Sequence, residues 1–296
     1  MAGRVLDATG APVAKATVAA GTLLTGGGAE LYIKDESIGA RSTETDDDGR
    51  FVLDGFPPAS LTVLAGKEDL GRSASLRLPP STDSATLDLV LAPTTSLAGT
   101  ITRNGAPLAD TVVIASPVGA IAQNFFVATG PDGTFALDAL APDAYVVYPM
   151  LGGGGSRPKD IYVKRVDVEL GKRAQVDIDA SSGPASLTIK VQSDGGGPVA
   201  MAQVVTIAAA ISPKTPDELR DGTLLPATSH VIPVYMRAAL GGNVELEGLR
   251  PGVHTACAMV GGGPNPDPSS LAMGCTQVKI GSGKSTVTIT VHAPKP

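Results

Sequence analysis

The stretch TDDDGRFVLDGFPPASL, Thr45 to Leu61, reads as turn, strand, turn, strand. Asp48-Gly49 supplies a tight turn, Phe51-Val52-Leu53 alternates as a strand, and Pro57-Pro58 breaks the chain before Leu61 opens the next. The same grammar returns as GPDGTFALDALAPDAY, Gly130 to Tyr145, and in worn form as GGNVELEGLRPGV, Gly241 to Val253. The worn copy keeps the strand-Gly-Leu-x-Pro ending, and three copies of one pattern predict three similar repeats.

Each copy is preceded by a related opening. AGRVLDATGAPVAKATVAA (Ala2 to Ala20) is restated as LAGTITRNGAPLADTVVIAS (Leu97 to Ser116), and again from Leu187 as LTIKVQSDGGGPVAMAQVVTIAA. Thr9-Gly10 and Asn104-Gly105 are turn signals, and Pro12, Pro107 and Pro198 hold one equivalent position. Each repeat closes on a strand of period two: Leu87, Leu89 and Leu91, then Val176 and Ile178, then Val287, Ile289 and Val291. Such alternation means one buried face and one wet face. The expectation is an all-β chain of three tandem β-sandwich domains, about seven strands each, at 1–93, 94–182 and 183–296. Short linkers near Ala92 to Thr95 and Ala180 to Pro184 predict a semi-rigid rod.

Composition agrees. At 296 residues the chain fits two or three domains of ordinary size. The apolar fraction is 43%, mostly small aliphatic residues, with aromatics at 3% and no Trp, which suits thin sheet-on-sheet cores. Its 36 Gly and 24 Pro punctuate short apolar runs and read as turns. The net charge of -6, with both signs scattered, speaks against nucleic acid and anionic membrane, which need clustered Lys and Arg. No apolar run reaches the roughly 18 residues that span a bilayer. After Met1 the chain goes straight into strand-like Gly3-Arg4-Val5-Leu6, read as a piece of a longer exported chain with its signal or further domains upstream.

The two cysteines, Cys257 and Cys275, lie on neighbouring strand-like segments of the third repeat. If those strands pair, a disulfide closes a loop of about 17 residues, worth roughly 3 kcal/mol. Two buried free thiols in a reducing compartment are the alternative. The repeats differ most in their inserts: TLLTGGGAELYIKDESIGA in the first and SPKTPDELRDGTLLPATSHVIPVY in the third. Within the latter, Thr215-Pro216-Asp217-Glu218 has the spacing of a capping box and predicts one helical turn. Inserts on a constant scaffold are where binding often resides, and equally where neutral drift accumulates.

Gly3, Val5, Asp7, Gly10, Pro12, Val13, Ala16 and Val18, followed by Thr45, Asp46, Asp48, Gly49, Phe51, Leu53, Gly55, Phe56, Pro57 and Pro58, resemble the carboxypeptidase regulatory-like domain. The second repeat is similar at Gly99, Gly105, Pro107, Leu108, Asp132, Gly133, Phe135, Leu137, Leu140 and Pro142. The third keeps Gly197, Pro198, Val199, Leu246, Gly248, Leu249, Pro251 and Gly252 but loses Asp-Gly and Phe, so an Ig-like topology is the expectation there. The resemblance implies transthyretin-like (prealbumin-like) sandwiches, often in tandem in secreted and cell-envelope bacterial proteins. In metallocarboxypeptidases this sandwich is accessory to a separate zinc-bearing catalytic domain, whose motifs the sequence does not carry.

Motifs for chemistry are weak. His230, His254 and His292 form no zinc-holding pattern. Asp46-Asp47-Asp48 lacks the further ligands of a calcium loop and reads as a turn. GSGKST, Gly281 to Thr286, lacks the spacing of a phosphate loop and reads as a hairpin. Asp177 and Asp179 share an outward strand face, and Lys190 faces no Asn or Asp on the closing strand with which to form an isopeptide. Tyr32, Phe125, Phe126, Tyr148 and Tyr162 are the candidate ligand-contact residues, by sugar stacking or peptide docking, with core packing as the alternative. The sequence therefore predicts a non-enzymatic, cofactor-free scaffold, stalk or adhesion segment outside the cytoplasm, with a protein or glycan partner at the cell surface. The alternatives are a carbohydrate- or peptide-binding module using the inserts, and accessory domains of a larger secreted enzyme such as a peptidase.

Overall fold

The computed structural model describes residues 1–21, 24–27, 30–33, 41–56, 61–67, 70–80, 85–119, 123–151, 160–170, 172–219, 222–228, 230–261 and 271–292. The Pro57-Pro58 break, the Gly152 to Gly155 run and most of the first insert lie outside the described residues, as does the side chain of Tyr32. The chain is all β: the described elements are strands, apart from a 3-10 turn at Asp217–Leu219.

The first ten strands are β1 (Ala2–Leu6), β2 (Thr17–Gly21), β3 (Leu24–Gly27), β4 (Glu30–Ile33), β5 (Arg41–Glu44), β6 (Arg50–Val52), β7 (Leu61–Lys67), β8 (Gly71–Ser73), β9 (Leu76–Leu78) and β10 (Thr86–Ala92). Nine follow: β11 (Thr95–Arg103), β12 (Ala106–Pro107), β13 (Val112–Pro117), β14 (Gln123–Ala128), β15 (Thr134–Leu140), β16 (Asp143–Pro149), β17 (Asp160–Val168), β18 (Ala174–Gln175) and β19 (Ile178–Asp179). The last are β20 (Ala185–Ser193), β21 (Met201–Ile207), β22 (Ile232–Leu240), β23 (Asn243–Leu249), β24 (Gly252–Val260), β25 (Ala272–Ile280) and β26 (Lys284–Val291).

One three-strand ladder recurs. β1 runs antiparallel to β6 and parallel to β10; β11 does the same with β15 and β18, and β20 with β23 and β26. The turn before the antiparallel neighbour is held alike each time. Val5 N–H donates to Gly49 O at 2.8 Å, Ile101 N–H to Gly133 O at 2.9 Å, and Val191 N–H to Gly242 O at 2.7 Å. Gly49, Gly133 and Gly242 have φ of +70°, +74° and +75°, and a Cβ on each would come within 2.7 Å of a backbone oxygen. Both the left-handed backbone and the crowding demand glycine. Gly242 is therefore the third repeat's counterpart of the Asp-Gly glycine, kept after Asp and Phe are gone.

The chain divides into two compact units. Unit 1 holds Met1–Ile101, Pro107–Val147 and Arg165–Asp177; unit 2 holds Thr102–Ala106, Tyr148–Lys164 and Ile178–Pro296. In unit 1 the strand order β5-β2-β7-β8-β10-β1-β6 wraps a core of Val5, Val18, Phe51, Val63, Leu89 and Leu91. β10 buries Leu87, Leu89 and Leu91 and exposes the residues between, as period two requires. The insert of the first repeat supplies β3, which pairs in parallel with β14 of the second, Phe125 opposite Gly26.

In unit 2, β25, β24, β21 and β22 form an antiparallel sheet, and β22 also takes Asp160–Val163 of β17 as its neighbour. One face of β21 and β24 packs Val204, Ala256 and Ala258 into the core with Leu187, Ile189, Tyr235 and Leu246. The opposite face, with Val205, Ile207, Thr255, Cys257 and Met259, is buried as well. The segment that leads into the long insert, Ala209 to Ile211, folds back onto this second face. Ile211 N–H donates to Thr255 Oγ1 at 3.1 Å, the Thr255 hydroxyl lies 2.8 Å from the Ala209 carbonyl it donates to, and Gln277 Nε2 donates to Ile211 O. Ile211 is buried just before the insert, and the insert buries Pro213, Pro216 and Leu225 of its own. Its helical turn forms at the expected place, with Thr215 Oγ1 accepting Glu218 N–H and the Glu218 carboxylate accepting Lys214 N–H.

Thr255→Val keeps the shape and removes the hydroxyl, leaving the backbone of Ala209 and Ile211, at the entry to the insert, without its partner. The expected loss is about 1–3 kcal/mol. Limited proteolysis should cut the variant faster within 212–231 than the wild type.

Candidate functional site

The candidate aromatics fall into two situations. Phe125 and Tyr162 are 2% and 1% exposed, and each carries an arginine from a neighbouring repeat. In unit 1 the Arg72 guanidinium lies 5.1 Å from the centre of the Phe125 ring, whose edge meets Tyr145 at 6.2 Å. Burial pushes the Arg72 guanidinium below its ordinary range, opposed by the Tyr145 phenol beside it. Tyr145, buried and donating to Ala141 O at 2.9 Å, is pushed upward by the same loss of water. Tyr148 is half-buried, and Phe126, on the other face of β14 from Phe125, is 44% exposed.

In unit 2 the Arg250 guanidinium lies 5.4 Å from the Tyr162 ring centre. Its Nη2 donates to Asp179 O at 2.6 Å and Ser181 O at 3.0 Å, and its Nε to Ser181 O at 3.1 Å. Gly183 N–H donates to Gly248 O at 2.7 Å, so the segment 179–183 is fixed flat against 248–250. Next to this clasp, Asp160 pairs with Arg237 at 2.7 Å, both mostly buried. Arginine is suited to the task because one planar group can stack on an aromatic ring and still donate in its own plane to backbone carbonyls.

Cys257 and Cys275 are directly opposite on β24 and β25 and joined by a disulfide, their Cα atoms 4.1 Å apart. Cys257 is wholly buried, whereas Cys275 is exposed. His254 is wholly buried on the core face of β24, and His292 pairs with Asp194 at the surface. Among the described residues no group of three or more His, Cys, Asp or Glu could hold a metal ion.

The remaining motifs sit in backbone roles. Asp46 Oδ1 accepts Asp48 N–H and Arg50 N–H, closing its own turn. Asp132 does the same for Thr134, whose hydroxyl holds the Asp132 carboxyl below its usual range. Asp177 Oδ1 accepts Thr100 N–H at 3.0 Å, standing in for a ladder partner, and Asp179 Oδ1 accepts Ser181 N–H. Gly281 to Gly283 of GSGKST form the connection between β25 and β26, Lys284 to Thr286 open β26, which pairs with β20, and Lys190 is exposed. The arginine partners Arg72 and Arg250 were missed by sequence reasoning; an isolated arginine in a short segment of small residues, as in GRSASL, is the weak signal that the first one left.

Residues 1–92 match the family model of the carboxypeptidase regulatory-like domain. No curated protein sequence matches the chain. Among solved structures, the Bacillus anthracis TIE protein is similar at 13% identity, over 98% of this chain and 50% of that one, with a TM-score of 0.27. The chain thus spans half the length of that protein. GBS52, the minor pilin of Streptococcus agalactiae, is similar at 14% identity over 61% of this chain and 95% of that one, TM-score 0.29. A streptococcal ancillary pilin is similar at 9% identity over 98% of both chains, TM-score 0.25.

Proposed function

We propose that this chain, whose residues 1–92 match the carboxypeptidase regulatory-like domain, is an exported, non-enzymatic scaffold or stalk segment of three tandem sandwiches, 1–93, 94–182 and 183–296. The observation that carries the reading is the repeated way neighbours are fastened. In unit 1 a strand of the first repeat adds to a sheet of the second and Arg72 covers Phe125. In unit 2 a strand of the second adds to a sheet of the third and Arg250 covers Tyr162. Aromatic faces and sheet edges that a ligand could have used are spent on holding repeats together. The cross-strand disulfide fits an oxidising compartment outside the cytoplasm.

The test expresses the full-length gene, fractionates the cells and counts alkylatable thiols without reductant. A chain outside the cytoplasm with both cysteines blocked supports the proposal; a cytoplasmic chain with two reactive thiols overturns it. Phe126 favours a second reading, a glycan- or peptide-binding module, since its ring stands open on β14. Retention on an immobilised glycan or peptide array that disappears in Phe126→Ala would establish that reading instead.

A further inference from the structure

Two separate functions meet at Arg250. Its side chain grips the carbonyls of Asp179 and Ser181, and its own carbonyl is 2.7 Å from Nε2 of His254. A carbonyl only accepts, so Nε2 carries the hydrogen and Nδ1 is the bare nitrogen of the neutral ring. That Nδ1 is buried and meets no hydrogen-bond partner among the described residues. A second proton would place a donor there with nothing to receive it, in a ring wholly shut from solvent and 6.4 Å from the Tyr235 ring.

The charged and titratable groups around this corner do not rescue the cation. Tyr235 and Arg237 come from β22, Asp160 and Tyr162 from β17, and Arg250 from the turn before β24; on β25 the residue facing His254 is Val278, with Lys279 beside it. The Asp160 carboxylate is already taken by Arg237. Asp179, at 3.4 Å from Arg250, is turned to the surface.

We propose that His254 is a proton-sensitive latch: a second proton at Nδ1 makes the ring a buried cation with no acceptor on that side, so the ring keeps the proton by leaving its site for water, and that departure gives up the Arg250 carbonyl and loosens the Arg250 clasp on the segment 179–183. Burial pushes the His254 imidazolium below its ordinary range, with the bond to the Arg250 carbonyl opposing in part. The folded state therefore takes up this proton at lower pH than the unfolded chain. Its stabilising effect is complete above about pH 6.5 and is lost as pH falls from there through the folded value. The latch is shut at neutral pH and opens in an acidified exterior.

The test is amide exchange at Gly183, whose N–H donates to Gly248 O, corrected for the intrinsic pH dependence. Below about pH 6.5 the corrected wild-type rate should rise as the pH falls, while above it the rate should stay level. His254→Gln offers the Arg250 carbonyl a similar donor and does not titrate, so its corrected rate should stay level. A His254→Gln protein that follows the wild type overturns the proposal. Should that variant fail to fold, an NMR titration of the wild-type ring decides. A His254 that titrates at or above the ordinary value, or titrates with no change at Gly183, refutes the latch; loss of Gly183 protection in step with a depressed titration supports it.

Discussion

Gly99→Ala will cost the middle repeat about 3 kcal/mol or more, at or beyond the upper end of ordinary overpacking. A Cβ at Gly99 would lie 1.7 Å from the Val176 carbonyl oxygen and 3.0 Å from the Phe135 ring. The first of these contacts is with backbone, so no rotamer change relieves it and β11 must separate from the closing segment. The same geometry recurs at Gly3, whose Cβ would meet Leu87 O at 1.9 Å and Phe51 at 3.0 Å. In both repeats the glycine and the phenylalanine are cross-strand partners, so the ring lies where a side chain would otherwise stand. The third repeat has changed both at once, to Ile189 opposite Val244. Gly99→Ile combined with Phe135→Val should therefore lose less than the sum of the single changes. Chemical denaturation of Gly99→Ala, of the two single changes Gly99→Ile and Phe135→Val and of their double measures this; a Gly99→Ala protein as stable as wild type contradicts the packing described.

Removing the Cys257–Cys275 bond will cost the third repeat roughly 3 kcal/mol, the chain-entropy value for a loop of this size. Reduction should produce it, and so should the double variant Cys257→Ala/Cys275→Ala, compared by urea unfolding. Chemistry at the two sulfurs will differ. Cys275 is open to solvent while Cys257 is wholly buried, so an attacking thiolate reaches Cys275 and expels the buried sulfur. Peptide mapping after brief exposure to a small thiol should find the mixed disulfide on Cys275. Equal stability with and without the bond, or an adduct on Cys257, would show that the hairpin is not stapled as described.

The parts of the fold written in local chemistry are legible in the sequence. Gly49 and Gly133 are announced by Asp-Gly, and Leu87, Leu89 and Leu91 by their period. Gly242 is harder, because its neighbours Gly241 and Asn243 supply two more turn formers and the Phe that would mark the strand is gone. The folded-back segment at the entry to the insert leaves a subtler trace. VVTI on β21 and ACAM on β24 do not alternate between apolar and charged residues, and a run without a charged or strongly polar face on an antiparallel strand means that both faces are covered. What covers the second face is a tertiary fact that no spacing encodes. The same holds for Phe125 and Tyr162: their composition suits a core or a platform equally, and the deciding arginines are far away in the chain.

The parallel pairing of β20 with β26 extends from Ser186 opposite Lys284 to Ser193 opposite Val291. Because the two strands point the same way, the chain enters this ladder at one end and leaves it at the other. Tension between entry and exit slides one strand along its neighbour, so the row of bonds must yield together rather than open one at a time like a zipper. How long such a body survives a steady pull is governed by its unfolding rate and not by its equilibrium stability. A repeat built with its first and last strands side by side is thereby an anchor whose holding strength grows with the length of that one seam.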